Sequence, residues 1–124
     1  MKRILVVDDE EDILISLKYF LRKQGYEVST TNSCEQAMGI FSSFSPDLVL
    51  LDINVGDEDG RLMCRQIKEH AELKHIPVIL ISANHEELQL YADYGANNYI
   101  PKPFNQESLS VTIESTLIKA ATGS

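Results

Sequence analysis

Five side chains that could do chemistry together stand at or just after the ends of short apolar runs in this sequence. These residues are Asp8, Asp9, Asp52, Ser82 and Lys102. The runs before the first four (ILVV, LVLL and VILI) are continuously apolar, as strands buried on both faces are. Ligands of a parallel α/β sheet bind at the carboxyl ends of its strands, and neighbouring strands lie about 4.8 Å apart. The sequence therefore predicts one polar site that gathers all five side chains.

The predicted site combines three carboxylates with a hydroxyl and an ammonium group. Carboxylates this close would repel one another and raise one another's pKa values, and a divalent cation removes that problem. An all-oxygen ligand set suits Mg²⁺, for which Mn²⁺ can substitute. With Lys102 as a fixed positive charge and Ser82 as a donor, the site could hold an oxyanion, most naturally a phosphoryl group. An aspartate among these residues could also be the nucleophile that forms an acyl phosphate.

The opening run KRILVVDDEED also has a simpler interpretation, as a solvated charge run before a helix. Asp8 and Asp9 stand at the predicted strand end and belong to the site. Glu10, Glu11 and Asp12 fall in the first turn of the next helix, where acidic side chains are favoured by the helix dipole. For these three residues the solvated interpretation holds.

Helical patterns alternate with the apolar runs and supply the elements that must position the site. Strands are predicted at residues 4–7, 27–31, 48–51, 78–81 and 99–100. Helices are predicted over 13–21, 36–41, 62–67, 88–94 and 106–117, with Ser33 and Asn105 as N-caps and Ser33 in a capping box with Gln36. The order βαβαβαβαβα implies an α/β fold in which helices cover both faces of a parallel sheet.

Composition limits the classes of function. The chain has 124 residues and a net charge of −8, which argues against binding to nucleic acid or an anionic membrane. Arg61, Arg65 and Lys68 share a helical spacing, which indicates a solvated helix face rather than a DNA-binding surface. Cys34 and Cys64 form no metal or disulfide motif, so we expect reduced thiols and a cytoplasmic protein. No apolar run approaches the ~18 residues of a membrane span.

Taken together, the motifs resemble the receiver domain of two-component response regulators, the family of the bacterial chemotaxis regulator. The resemblance covers nearly the whole chain. It rests on VVDDE at 6–10, LLDIN at 50–54, DG at 59–60, ISA at 81–83 and GANNYIPKPF at 95–104. It implies a doubly wound, flavodoxin-like (βα)5 fold with strand order 2-1-3-4-5. We expect a receiver domain over residues 1–120 and a flexible tail over 121–124.

The resemblance also implies a role for each site residue. Asp52 would be the phosphoacceptor, and Asp8, Asp9, Asp52 and the Asn54 main-chain carbonyl would bind Mg²⁺. Lys102 would pair with the phosphoryl oxygens, Ser82 would donate a hydrogen bond to them, and Tyr99 would be the switch aromatic. The Lys102–Pro103 bond is usually cis in such domains. The implied partners are a sensor histidine kinase or phosphotransfer protein and an unidentified downstream effector. The implied activity is that of a regulatory switch, which catalyses only its own phosphotransfer and dephosphorylation.

Some positions depart from the family pattern. Gly56 replaces a common proline four residues after the phosphoacceptor and precedes three acids, which predicts a more flexible and more acidic loop. Ser82 replaces the commoner threonine, and Pro101 creates a Pro-Lys-Pro sequence. His70, His75 and His85 match no phosphorylation site of the family, and we expect them on the surface.

Two other functions compete with the switch. A phosphatase of the haloacid dehalogenase type also uses a strand-end aspartate and Mg²⁺, but it needs a second aspartate as general acid where this chain has Asn54. A pseudo-receiver that only binds partners would not need the complete set of five side chains. We expect a monomer, or at most a weak dimer, in the unphosphorylated state, because residues 84–94 carry three acids and no lysine or arginine, and Lys119 would be the one basic residue of helix five. The sequence does not identify the output.

Overall fold

The structure, a computed structural model, describes residues 1–122. Its strands are β1 (Arg3–Val7), β2 (Glu27–Thr31), β3 (Leu48–Asp52), β4 (Asn54–Val55), β5 (Glu58–Asp59), β6 (Val78–Ser82) and β7 (Asn98–Pro101). Its α-helices are α1 (Glu11–Lys23), α2 (Cys34–Phe44), α3 (Gly60–Glu69), α4 (His85–Gln89) and α5 (Gln106–Ala121).

The five longer strands form one parallel sheet in the order β2-β1-β3-β6-β7. This is the predicted order 2-1-3-4-5 once the two short strands are set aside. Strands β4 and β5 were not predicted, and they pair with each other as a separate antiparallel hairpin. The flavodoxin-like doubly wound fold is confirmed.

Alternation along the strands builds a core on each face of the sheet. Leu5 and Val7 of β1 face the layer of α2 and α3, whereas Ile4 and Val6 face the layer of α1 and α5. Every residue of β3 and β6 is buried, as their uninterrupted apolar runs predict. Each fully buried Leu or Ile side chain stabilises the fold by about 1.5–3 kcal/mol. This packing fixes the strand ends relative to one another.

Polar caps set the starts of the helices. The Ser33 hydroxyl accepts from the Gln36 N–H and the Asn105 side chain accepts from the Ser108 N–H, as predicted for both caps. Only half of the predicted capping box forms, because the Gln36 side chain contacts the Thr31 hydroxyl instead of the Ser33 backbone. Helix α5 extends through Ala121, one residue into the predicted tail, and Gly123 and Ser124 lie outside the described residues.

The single helix predicted over residues 88–94 is wrong. The chain forms the five-residue helix α4, breaks at Leu90, and continues as a 3₁₀ turn over Tyr91–Tyr94. This turn brings the Tyr94 ring against α3, where the guanidinium carbons of Arg61 and Arg65 lie 5.3 and 4.7 Å from its centre. The cation–π contacts with a neighbouring helix override the local helical pattern.

The basic residues of α3 therefore have partners within the molecule, and do not form the simple solvated face that their spacing suggests. Arg61 makes a two-point ion pair with Asp59, and the Lys68 ammonium donates to backbone carbonyls of the segment before β6. The three histidines are exposed, as predicted. Both cysteines are buried free thiols. No helix within residues 1–122 is long and apolar enough to cross a membrane.

Candidate functional site

The sheet register places Asp8 and Asp52 side by side. Val7 pairs with Leu51 on the neighbouring strand, so the residues that follow these two meet at the carboxyl edge of the sheet. Both aspartates are buried, with 1% and 4% of their surface exposed. The Asp8 carboxylate accepts from the Glu10 N–H, and that of Asp52 accepts from the Asn54 N–H at 2.8 Å. The two strands thus hold their acids in fixed orientations.

Lys102 reaches this pair from the loop between β7 and α5. Its ammonium nitrogen lies 2.5 Å from Asp52 Oδ2, 3.1 Å from Asp8 Oδ2 and 3.3 Å from Glu10 Oε1. The Lys102–Pro103 peptide bond is cis, as expected. Burial alone would lower the pKa of Lys102, but its hydrogen bonds and charge interactions with Asp52 and Asp8 raise that pKa above the ordinary lysine value. The ammonium therefore stays charged inside the site.

Asp8 has the opposite electrostatic situation. Its pKa is raised from 3.8 to about 6, mainly by burial and also by the nearby charge of Asp52. The Glu10 N–H and Lys102 lower the pKa, but they do not cancel the effect of burial. One ammonium group is thus too little to compensate the carboxylates that meet here.

A set of four carboxylates could hold a cation at this place. Ligand oxygens of Asp8, Asp9, Glu10 and Asp52 all lie within 4.8 Å of one another. Their chemistry fits a hard divalent ion such as Mg²⁺, which prefers oxygen ligands and keeps several waters. The sequence identified three of the four. Glu10 was assigned to the solvated helix start, yet it is the N-cap residue of α1, and its side chain turns back to Lys102.

The loop after Asp52 forms the β4–β5 hairpin around Gly56. Val55 pairs with Glu58, which leaves a two-residue turn whose first residue, Gly56, has φ +60°. This is the glycine position of a type II′ turn. The Gly56 N–H, which a proline would lack, donates to Asp9 Oδ2 at 3.1 Å. The hairpin thereby helps to orient one of the predicted metal ligands.

The acids of this loop are largely used as helix caps. The Glu58 carboxylate accepts from the backbone N–H groups of Cys34 and Glu35 at the start of α2. The Asp59 side chain caps α3 by accepting from the Arg61 N–H. The missing proline predicts a flexible loop, but in the structure these contacts tie the loop to two helices.

Gly60 is required by close packing against the Asp52 backbone. A Cβ atom at this position would lie 2.0 Å from the Asp52 carbonyl oxygen, far inside van der Waals contact. The Gly60 N–H donates to the Ile53 carbonyl at 2.7 Å, which closes the hairpin onto the end of β3. The glycine of the Asp-Gly motif is thus explained by its close contact with the Asp52 backbone.

Ser82 ends β6 as a buried residue on the other side of Asp52, and Asp52 pairs in register with Ile81. The Ser82 hydroxyl accepts from the Asn84 N–H at 2.9 Å and donates to Glu87 Oε1 at 3.0 Å. Glu87 is a site-edge residue that the sequence reasoning missed. The only signal for it is its position five residues after Ser82.

Tyr99 lies on the edge strand beside Leu80, two residues before the Pro101 that pairs with Ser82. Its side chain points outward, with 44% of the residue surface exposed. The ring centre lies 4.9 Å from that of Tyr91, with the planes tilted by 43°. The predicted switch pair therefore occupies neighbouring strands, and the aromatic ring lies on the surface.

Comparison with known proteins shows the family to which the chain belongs. The family model of the response regulator receiver domain matches residues 4–114. The chain is 34% identical over 118 residues to the alkaline phosphatase synthesis transcriptional regulatory protein PhoP of Bacillus subtilis strain 168, covering 94% of the chain and 48% of that relative. This chain belongs to the receiver domain family of two-component response regulators.

Two solved structures share its fold. The receiver domain of NtrX from Brucella abortus is 33% identical with a TM-score of 0.84, over 92% of this chain and 97% of that one. The chemotaxis protein CheY4 of Vibrio cholerae is 25% identical with a TM-score of 0.86, over 94% and 98%. Receiver domains are regulatory, so the dehalogenase-type phosphatase loses its support. The chain spans about half the length of the curated relatives it matches.

Proposed function

We propose that this domain is a phosphorylation-activated switch in which Asp52 accepts a phosphoryl group from a histidine kinase or a phosphotransfer protein. The observation that carries the proposal is the convergence of Lys102 on Asp52 and Asp8, two members of the four-carboxylate cluster. The buried aspartate supplies the nucleophile, and the ammonium supplies a fixed positive charge for the oxygens of the incoming group.

The metal ligands in this proposal are Asp8, Asp9, Asp52 and the Asn54 carbonyl, with Mg²⁺ or Mn²⁺ as the ion. When bound, the ion would neutralise the carboxylates and the phosphoryl oxygens. Glu10 lies close enough to add a further oxygen ligand or to bind a metal-bound water. The Gly56 N–H, which already contacts Asp9, would hold that ligand in place.

The transfer itself needs little movement of this chain. An Asp52 carboxylate oxygen attacks phosphorus while the phosphorus–nitrogen bond of the donor phosphohistidine breaks, and the imidazole leaves with the electron pair of that bond. Lys102 exchanges its contact with Asp52 for one with a phosphoryl oxygen. The Asn54 N–H keeps the second Asp52 oxygen oriented, as it does at 2.8 Å in the structure.

The signal would leave the site through Ser82 and Tyr99. A phosphoryl group on Asp52 adds nearly two negative charges and three acceptor oxygens, to one of which the Ser82 hydroxyl would donate. That movement would vacate space between α4 and β7, which the exposed Tyr99 ring would fill by turning inward. The surface made by α4, β7 and α5 would change shape, and a downstream effector would bind it differently.

The proposed context is a cytoplasmic signalling protein that meets its kinase in solution. The domain makes no direct contact with nucleic acid or membrane in this proposal, because its charge is strongly negative. A relative of twice its length is named a transcriptional regulatory protein, which concerns that protein as a whole. In this proposal the cellular response depends on the effector that binds this domain.

Beryllofluoride, a mimic of the phosphoryl group, provides the test. In the presence of Mg²⁺, one beryllofluoride should bind to each chain and shift the NMR signals of Ser82, Tyr99 and α4. The Ser82→Ala variant should still bind the mimic but lose the shifts at Tyr99. A wild-type protein that does not bind beryllofluoride, or a Ser82→Ala variant with unchanged Tyr99 shifts, would contradict the proposed switch.

A further inference from the structure

Glu87 in helix α4 holds the hydroxyl that the switch has to use. We propose that Glu87 is a positioning residue that holds the Ser82 hydroxyl in the arrangement of the unphosphorylated domain. Glu87 must be displaced before Ser82 can donate to the phosphoryl group, so it disfavours binding of that group. The inference rests on the proposed function, which makes Ser82 a donor to that group. It adds a restraining residue at the edge of the site, outside the set of side chains that the family motifs identify.

The hydrogen bonds at Ser82 leave its proton a single acceptor. The oxygen accepts from the Asn84 N–H at 2.9 Å, and the hydroxyl donates to Glu87 Oε1 at 3.0 Å. The same Glu87 oxygen accepts from the Asn54 side-chain amide at 3.3 Å. Glu87 therefore links the end of β6 to Asn54, which lies two residues after Asp52 at the end of β3.

A phosphoryl group on Asp52 would compete with this arrangement. A hydroxyl has one proton, so Ser82 cannot donate to Glu87 and to a phosphoryl oxygen at once. The phosphoryl group also adds about −1.5 to −2 charge at pH 7, which repels the Glu87 carboxylate nearby. Binding of the phosphoryl group and the contact between Glu87 and Ser82 are thus mutually exclusive.

Arg61 of helix α3 offers the displaced carboxylate a partner. Its pKa is raised mainly by its hydrogen bonds to Asp59, with smaller contributions from the charges of Tyr94 and Glu87. The Arg61 guanidinium also lies on the Tyr94 ring. Movement of Glu87 towards Arg61 would couple the site to the 3₁₀ turn after α4.

The neighbouring residue Glu86 provides a matched control. It has the same charge and lies on the same short helix, but its side chain makes no hydrogen bond or ion pair with the part of the chain that the structure describes. Glu86→Gln therefore changes the net charge as Glu87→Gln does without touching Ser82. A difference between the two variants isolates the contact from general electrostatics.

The first experiment measures the affinity for beryllofluoride in saturating Mg²⁺ by NMR titration. Glu87→Ala should bind beryllofluoride at least about fivefold more tightly than the wild type does. A factor of about five is the lower end of the usual range of coupling between two sites. Glu87→Gln keeps an acceptor but loses the charge, so it should fall between wild type and Glu87→Ala. It also preserves size and shape, which keeps the test decisive if the alanine variant is unstable. Glu86→Gln should stay within twofold of wild type.

The second experiment places Glu87→Ala in a Ser82→Ala background. If Glu87 acts through the Ser82 hydroxyl, most of its effect on the affinity for beryllofluoride should disappear in this background. If Glu87 affects only stability, the effects of the two substitutions on affinity should be additive. Unchanged or weaker binding by both Glu87 variants, or full additivity with Ser82→Ala, overturns the inference. These results differ from failure of the proposed function, in which the wild type itself would not bind beryllofluoride.

Discussion

The ammonium nitrogen of Lys102 lies 2.5 Å from the carboxylate of Asp52, although the two residues are 50 positions apart in the sequence. The same ammonium contacts Asp8 and Glu10, so a single positive charge serves several acids. The carboxylates outnumber the cations at this edge of the sheet. The pKa of Asp8 is raised mainly by burial and also by the charge of Asp52. The site should therefore gain stability from a second cation.

Removal of a predicted metal ligand should weaken Mg²⁺ binding selectively. Asp9→Asn should raise the Kd for Mg²⁺ at least about tenfold, because it removes a carboxylate ligand that the Gly56 N–H orients. Glu10→Gln should have a smaller effect, since Glu10 lies at the exposed edge of the cluster. Calorimetric titration measures both, with Glu11→Gln, at the first residue of α1, as a charge-matched control. Equal losses in all three variants would indicate a diffuse electrostatic effect rather than a ligand set.

Neutralisation of Asp8 should stabilise the metal-free domain. Its pKa is about 6 in the folded chain against 3.8 ordinarily, so above pH 6 the fold must hold a buried charge that the unfolded chain solvates freely. At pH 8 in EDTA, Asp8→Asn should raise Tm by several degrees, equivalent to about 1–3 kcal/mol. The advantage should shrink as the pH falls from 6 towards 4, where the wild-type carboxyl binds its proton.

Thermal unfolding at several pH values checks this prediction. Asp57→Asn is the control, because Asp57 is an exposed acid at the tip of the hairpin and its neutralisation should change stability by less than about 0.5 kcal/mol. A lower Tm for Asp8→Asn at pH 8 would show that the ion pair with Lys102 outweighs the burial of the charge.

Gly60 and Gly39 should respond oppositely to alanine. A Cβ at Gly60 would meet the Asp52 carbonyl at 2.0 Å, whereas a Cβ at Gly39 meets nothing within 4 Å. Gly60→Ala should lower the free energy of unfolding by about 2 kcal/mol or more, because backbone has to shift. Gly39→Ala lies inside α2 and should raise it by about 0.5–1 kcal/mol. Urea unfolding measures both, and equal effects would contradict the close approach at Gly60.

The strand ends could be predicted from the sequence because their signals are local. The apolar runs before Asp8, Asp52 and Ser82 are continuous, and a parallel sheet brings such ends together whatever the loops do. Features that depend on contacts between distant segments could not be predicted. Glu58 caps a helix that begins 24 residues earlier in the chain, and no local pattern indicates this.

The break after α4 and the role of Glu87 have the same explanation. A helical period over residues 88–94 is present in the sequence, but the contacts of Tyr94 with Arg61 and Arg65 decide the conformation. Glu87 is one of several acids in an acidic segment. Its contacts with the Ser82 hydroxyl and the Asn54 side-chain amide distinguish it from Glu86.

The unphosphorylated domain should be a monomer in solution. Residues 84–94 carry three acids and no lysine or arginine, so two copies of this surface would repel each other. The Arg61 and Arg65 side chains beside this segment are already engaged with the Tyr94 ring. Light scattering at moderate salt should give the mass of one chain. A stable dimer whose interface contains residues 84–94 would contradict the prediction.

The central claim is that Asp52 accepts the phosphoryl group. Acetyl phosphate with Mg²⁺ should add one phosphoryl group per chain, measured by intact mass, and excess EDTA should prevent the addition. Asp52→Asn should take up none, while Ser82→Ala, which leaves the nucleophile and the acidic cluster intact, should still be labelled. Full labelling of Asp52→Asn, or full labelling of the wild type in EDTA, would contradict the account.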